Sequence, residues 1–131
     1  MVELHGWITV RESYKVDDEG KNISIIVRRI EEKISLLGWD TNLLDIRYYN
    51  GTPALSIALF TNRINESINQ TFELVKFVCR EAKGSYGIIY MYDDESDKAF
   101  DEFKVYIVCK GKICEKQDKF LSPLMQKVYQ K

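Results

Sequence analysis

The centre of the chain, residues 43–59, is LLDIRYYNGTPALSIAL. After Asn50-Gly51, apolar residues such as Leu55 and Ile57 alternate with polar or small ones, which is the period of a strand with one buried face. Asn-Gly readily takes the positive φ angles that a two-residue hairpin turn requires. The segment therefore predicts two antiparallel strands joined by a tight turn.

Helical periodicity flanks this hairpin on both sides. Before it, apolar residues recur every three or four positions, and Gly38 is placed to end the helix. After it, Ser67 and Gln70 resemble a capping box at the start of a second helix, whose apolar stripe ends at Gly84. The two stripes consist of Ile23, Ile26, Val27, Ile30, Ile34 and Leu37, and of Ile68, Phe72, Val75, Cys79 and Ala82.

Further strands lie outside the two helices. Residues 2–12 alternate and predict an opening strand. Trp7 is out of phase with the apolar positions Ile8 and Val10, so we expect it on the open face of the sheet. Residues 86–92 and 103–110 predict two closing strands, and a short strand near Ile113 can follow them. The chain therefore begins and ends with strands.

The order of these elements, β-α-β-β-α-β-β, predicts an α+β fold with a mostly antiparallel sheet of about five strands and both helices on one face. Because strand–helix–strand units close with right-handed connections, the first four strands can form a ferredoxin-like sheet, with the fifth extending its edge. An antiparallel meander with a different strand order is the alternative. A length of 131 residues is typical of one domain, so residues 1–131 are expected to form a single domain.

Composition and charge limit the kinds of molecule that this chain is expected to contact. A net charge of −1 argues against binding to a bare phosphate backbone, so direct nucleic-acid binding is not expected. The three cysteines contain no CxxC pair, and their odd number favours reduced thiols. The start of the chain lacks the pattern of a signal peptide, and no apolar stretch is long enough to span a bilayer. We therefore expect a cytoplasmic protein without membrane contact.

The sequence offers few groups for catalysis or for holding a cofactor or metal ion. His5 is the single histidine, and no serine lies in a GxSxG elbow. Cys79 follows the stripe of the second helix and Cys109 is in phase with the apolar residues of its strand, so both are expected in the core. The acidic run of residues 93–97 lacks the glycine and distal glutamate of an EF-hand loop. We therefore expect no enzymatic activity, no cofactor and no metal site.

One motif supports a second class of function. Residues 83–90 are KGSYGIIY, which approaches the RNP1 motif of RNA-recognition domains but has an extra residue before the aromatic. RNP1 lies on the third strand of such a domain, whereas this motif follows the second helix. Tyr48, Tyr49, Tyr90 and Tyr92 could stack on bases. A small RNA-binding module of ferredoxin-like fold is therefore the alternative function.

Several segments together resemble the immunity protein 7 family of bacterial polymorphic toxin systems. They keep their order along almost the whole chain and are His5-Gly6-Trp7, Gly84-Ser85-Tyr86-Gly87 with Tyr90, Asp93-Asp94-Glu95, Phe103 with Lys110-Gly111-Lys112, and Phe120-Leu121-Ser122-Pro123. The resemblance implies a cytoplasmic α+β protein without enzymatic activity. It also implies that the protein binds a toxin encoded by a neighbouring gene and protects the producing cell in bacterial competition. The sequence is compatible with both a monomer and a homodimer.

The expected partner-binding groups are an acidic segment and several aromatic residues. The resemblance implies a toxin that is often a nuclease with a basic cleft, and four carboxylates are expected to face that cleft in place of phosphate charge. A few aromatic anchors are expected to supply most of the affinity. The candidate residues are Asp93, Asp94, Glu95 and Asp97, with Tyr92, Trp7, Trp39 and Tyr49 as anchors.

Overall fold

The strands and helices follow the expected order along the chain, with one further strand after the expected five. The computed structural model describes residues 1–13, 20–39, 43–62, 66–96 and 101–123. The elements in these ranges are β1 (Val2–Thr9), α1 (Ile23–Leu37), β2 (Leu44–Tyr49), β3 (Thr52–Thr61), α2 (Glu66–Glu81), β4 (Tyr86–Asp93), β5 (Phe103–Cys109) and β6 (Lys112–Gln117).

The strands form one sheet in the order β2-β3-β1-β4-β5-β6, and every neighbouring pair is antiparallel. The first four strands therefore have the ferredoxin-like order, which confirms that expectation over the simple meander. The sheet has six strands where about five were expected, because β6 pairs with β5 along its whole length. Lys110 and Gly111, with φ of 51° and 75°, form the tight turn between them. Most residues of β6 are exposed and half of them are charged, so its sequence alternates little between apolar and polar residues and predicts a strand only weakly.

The helix ends show one prediction confirmed and one corrected. Gly38 ends α1 as expected: its φ is 68°, and its N–H donates a hydrogen bond to the carbonyl of Ser35 at 3.2 Å. Helix α2 begins at Glu66, so Ser67 lies inside the first turn and the predicted capping box is misplaced. The carbonyl of Ser67 already accepts a hydrogen bond from the Thr71 hydroxyl at 2.9 Å, one helical turn later.

The hydrophobic core lies between the sheet and the two helices, on one side of the sheet. In β1 the buried side chains are at alternate positions, and both helices contribute apolar residues to the same cluster. Burying such side chains is the main stabilising term of the fold. The central members are Leu4, Ile8, Ile30, Leu55, Ile57, Val75, Val78 and Ile89.

Strands β1 and β4 approach closely at Gly87. A Cβ atom at this position would lie 2.0 Å from the carbonyl oxygen of Trp7, so a larger residue cannot be accommodated without moving the backbone. The close approach fixes the register in which Ile8 faces Gly87 and Thr9 faces Tyr86. It thereby brings the side chains of Trp7 and Tyr86 next to each other.

Candidate functional site

The side of the sheet that faces away from the helices, called the open face below, begins with the alternate residues of β1. Glu3, His5, Trp7 and Thr9 lie on this side, because the intervening residues are buried in the core. Trp7 is 48% exposed, a high value for so large an apolar side chain. The prediction that Trp7 lies on the open side of its strand is therefore confirmed.

Strand pairing adds aromatic side chains to the open face on both sides of β1. Phe60 on β3 lies opposite Glu3, and on the other side of Glu3 lies Tyr92 on β4, which in turn lies opposite Phe103 on β5. One row across four strands therefore contains three aromatic rings and one carboxylate. The next rows add Tyr90, Ile88 and Tyr86 from β4 and Val105 and Ile107 from β5.

The rings are held in place by contacts with one another. His5 and Phe60 meet edge to face with ring centroids 5.2 Å apart, and Trp7 and Tyr86 do so at 6.3 Å. Each such pair contributes about 0.5–1.5 kcal/mol beyond the burial of its area. Side chains that already pack against one another in a free protein lose less entropy when their surface is covered.

Phe103 joins the rings of two tyrosines on β4. Its centroid lies 5.8 Å from that of Tyr90, almost perpendicular to it, and 5.5 Å from that of Tyr92. Phe60 and Tyr86 remain 59% and 46% exposed. Exposed aromatic residues in adjacent rows of one sheet face are typical of interaction surfaces.

Negative charge is concentrated at one end of the open face, around Tyr92. Partial burial raises the pKa of the Tyr92 phenol, and the carboxylates of Asp94, Asp101, Glu3 and Asp93 raise it further. Glu3 belongs to the face itself, with only 24% of its side chain exposed and its Oε1 3.4 Å from Nε2 of His5. We call this region, Glu3 and Tyr92 with Asp94 and Asp101, the acidic end.

Positive charge lies at the opposite end. One row across the sheet consists of Arg47 on β2, Ala54 on β3, Thr9 on β1 and Tyr86 on β4. On β6, Lys112 lies opposite Cys109 of β5, at the same end of the sheet. We call Arg47 and Lys112 the basic end, although the carboxylate of Asp45 lies on the same face two residues from Arg47.

The sequence profile of the family described as Immunity protein 7 matches residues 1–130. The chain belongs to the immunity protein 7 family. No curated protein and no solved structure matches it.

The structure of this immunity protein 7 family member places three of the predicted anchors on the open face. Tyr92 lies at the acidic end and Trp7 in the middle. Tyr49 is 60% exposed at the end of β2, on the same side as Arg47. Trp39 lies elsewhere: it follows Gly38 and packs, partly buried, against the hydrophobic core on the side of the helices.

The predicted acidic segment is partly held by internal bonds. Oδ1 of Asp93 accepts a hydrogen bond from the N–H of Glu95 at 3.0 Å, and Asp94 accepts one from the ammonium group of Met1. Glu95 is exposed beside them. Asp97 lies outside the described residues. The segment is thus a turn attached to the start of β1, and its charges surround the tyrosine that precedes it.

The expectation that both Cys79 and Cys109 are core residues is correct only for Cys79. Cys79 is buried, and burial raises the pKa of its thiol. Cys109 is exposed, as is Cys114. The alternation of β5 was predicted correctly, but the side of the strand that faces the core was not. Val108 is buried in the core and is adjacent to Cys109, so Cys109 and the residues in phase with it lie on the open face.

The described residues contain neither a cluster of metal ligands nor a membrane-spanning helix. No three His, Cys, Asp or Glu side chains within these ranges lie close enough together to hold a metal ion. None of the helices in the same ranges is long and apolar enough to cross a membrane.

Proposed function

We propose that this chain is a cytoplasmic immunity protein that neutralises one cognate toxin domain by binding it. The observation that carries the proposal is the family match over residues 1–130. The open face supports it, because it combines ordered, exposed rings with charge at both ends on a rigid sheet. Such a surface fits the anatomy of a protein interface, in which a few aromatic side chains supply most of the affinity.

Neutralisation of this kind requires occupancy and no chemistry. A standard interface buries about 1,600 Å² in total, which is enough to cover the substrate cleft of a small toxin domain. The chain would therefore act in a fixed ratio to its partner and without turnover. We infer that the toxin is encoded beside this gene, since an immunity protein must be made together with its toxin to protect the producing cell.

A nuclease toxin is the partner that the charge distribution favours. A nuclease cleft binds phosphate and is basic, and carboxylates of the acidic end would replace phosphate charge there. Opposite potentials speed the encounter of two proteins and exclude partners with the wrong charge. Glu3 and Asp101 would replace phosphate charge together with the carboxylates expected from the sequence, which are Asp93, Asp94, Glu95 and Asp97.

RNA binding is the second candidate, and one observation favours it. Tyr86, Tyr90 and Tyr92 lie on the open face of a ferredoxin-like sheet, where aromatic residues can stack on bases. The carboxylates around Tyr92 oppose it, because they would repel a phosphate backbone at the same place. Protein binding explains both the rings and the charges, so we favour it.

Co-expression tests the proposed function. The toxin domain of the neighbouring gene should kill or arrest a host cell, and this chain should restore growth and co-purify with the toxin domain. The matched control is an unrelated immunity protein expressed to the same level. Lack of rescue together with lack of co-purification at low salt would refute the proposal, and tight RNA binding that weakens steeply with salt would favour the alternative.

A further inference from the structure

We propose that the acidic end of the open face is the seat for a basic side chain, arginine or lysine, of the toxin. The apolar middle of the face, from Tyr90 to Trp7, then takes apolar residues beside that cation. This inference rests on the proposed function and adds to it the surface that binds and the chemistry of the group that it receives.

The first support is the position of Glu3. Glu3 lies in register between Phe60 and Tyr92, and its side chain is only 24% exposed. Among the described residues no lysine or arginine pairs with Glu3, and a carboxylate that has lost part of its water gains more from an incoming cation than a fully hydrated one does. His5 is the neighbouring group on its own strand, with its Nε2 3.4 Å away.

The second support is the aromatic surroundings. Tyr92 and Phe103 are in ring contact at 5.5 Å, and Phe103 also contacts Tyr90. A cation gains electrostatic attraction from the faces of such rings, and arginine also stacks on them. Carboxylate and rings within one row therefore present the two kinds of group that recognise a basic side chain.

The third support is the asymmetry of the face. Asp101 and Asp94 add negative charge near Tyr92, and Asp94 already binds the Met1 ammonium group, which leaves Glu3 and Asp101 as the main attraction. Arg47 and Lys112 lie at the other end. On the open face, Lys116 lies one row from Glu3 but on β6, three strands away from β1. Asp45 lies on the open face beside Arg47 and offsets part of its charge, so the stronger attraction for a basic group of the toxin is at the acidic end.

A second copy of this chain is the competing occupant. Two open faces related by a two-fold axis could place the acidic end of one against the basic end of the other. The toxin is favoured because the family match implies a heterologous partner. The two occupants give opposite results in the experiment below.

The test measures the affinity of purified variants for the catalytically inactivated toxin domain of the neighbouring gene. Glu3→Gln removes the charge while keeping the size, and Tyr92→Leu removes the ring while keeping an apolar side chain. Each should weaken binding by about tenfold or more. Tyr92→Phe keeps a ring and should weaken binding less than Tyr92→Leu does. Glu32→Gln is the control, because Glu32 is exposed on α1 in the helical layer.

Each outcome has a defined meaning, provided that the variants keep the circular dichroism spectrum and thermal midpoint of the parent. Selective weakening by Glu3→Gln and Tyr92→Leu supports the seat. Parental affinity in both variants overturns the seat and leaves the proposed function intact, whereas failure of the parent to bind the toxin refutes the proposed function itself. A parent dimer that both variants dissociate, and that the toxin does not compete away, assigns the face to a second copy and also overturns the seat.

Discussion

Glu3 on β1 lies directly opposite Tyr92 on β4, and opposite Phe60 on β3 on its other side. A carboxylate is thus held between two aromatic residues at one end of an exposed apolar surface. Only 24% of the Glu3 side chain is exposed, and in the proposed complex a basic side chain of the toxin would lie against it. In that complex Glu3 would favour a basic partner surface, because an acidic or neutral surface would cover the carboxylate without supplying a cation.

Two adjacent tyrosines of β2 make it possible to test the open face against the opposite side of the sheet. Tyr48 and Tyr49 are both 60% exposed, but they point to opposite sides of β2. If the open face is the interface, Tyr49→Ala should weaken toxin binding by about 1–2 kcal/mol, the range between an ordinary contact and a hot spot. Tyr48→Ala should leave the affinity unchanged. Isothermal titration with the toxin domain provides the comparison, and equal effects of both changes would place the interface elsewhere.

The association rate is expected to fall with salt. Attraction between exposed charges is screened beyond a Debye length of about 8 Å at physiological ionic strength. Stopped-flow measurement from low to high salt should therefore show slower association of the parent protein. Asp101→Asn should flatten this dependence, while Glu31→Gln on α1 should not. A rate independent of salt would remove electrostatic steering from the account.

The buried carboxylate of Asp118 holds the segment after β6 in place and, through it, the start of β5 beside the acidic end. Asp118 accepts hydrogen bonds from the N–H groups of Phe120, Leu121 and Ser122 at 2.8–3.1 Å and from the Ser122 hydroxyl at 3.0 Å. The hydroxyl oxygen of Ser122 accepts one from the N–H of Phe103 at 2.7 Å. This chain of contacts holds the start of β5, where Phe103 joins the open face.

Asp118→Asn should therefore destabilise the fold by about 1–3 kcal/mol, because an amide cannot accept all of these bonds. Burial opposes ionisation of Asp118, but the hydrogen bonds outweigh it and hold its pKa below the ordinary value. The stabilisation is thus present above the unfolded pKa of about 3.9 and is lost as pH falls through the folded pKa. Urea unfolding should show a large difference between the two proteins at pH 7 and a smaller one near pH 3; a constant difference would contradict this assignment.

Alkaline pH should test the packing of β5 against α2. Burial, followed by the charge of Glu115 and a hydrogen bond to it, raises the pKa of Tyr106 to about 12. Its ring packs edge to face on Phe72 at 4.8 Å. The neutral phenol therefore stabilises the fold below the unfolded pKa of about 10, and this contribution is lost as pH rises through 12.

The measurement for Tyr106 is the free energy of unfolding of the parent and of Tyr106→Phe between pH 9 and pH 12. Because phenylalanine does not titrate, the parent should lose stability relative to the variant over this interval. Tyr48→Phe, a change at an exposed tyrosine, should follow the parent. Parallel curves for the parent and Tyr106→Phe would show that Tyr106 titrates normally.

Local pattern was sufficient to predict the elements of the fold. The stop at Gly38, the hairpin at Asn50-Gly51 and the outward position of Trp7 each depend on a few neighbouring residues, and the structure has all three. The family resemblance was likewise confirmed by the match over residues 1–130.

The arrangement of the acidic end depends on which strands are neighbours, and local pattern does not contain that information. Glu3, Phe60 and Phe103 are far apart in sequence and share one row only because β1 lies between β3 and β4 and β4 pairs with β5. Cys109 shows a related failure: both sides of β5 carry apolar residues, so its period did not reveal which side faces the helices. An apolar outer side on such a strand is itself a signal of an interface.

The most direct test of neutralisation by binding is a titration of toxin activity with the purified chain. At toxin concentrations well above the dissociation constant, activity should fall linearly and reach zero at a fixed stoichiometric ratio, and the toxin recovered from the complex should be chemically unchanged and active. Inactivation by a small molar fraction of the chain, or full toxin activity in its excess, would contradict the account.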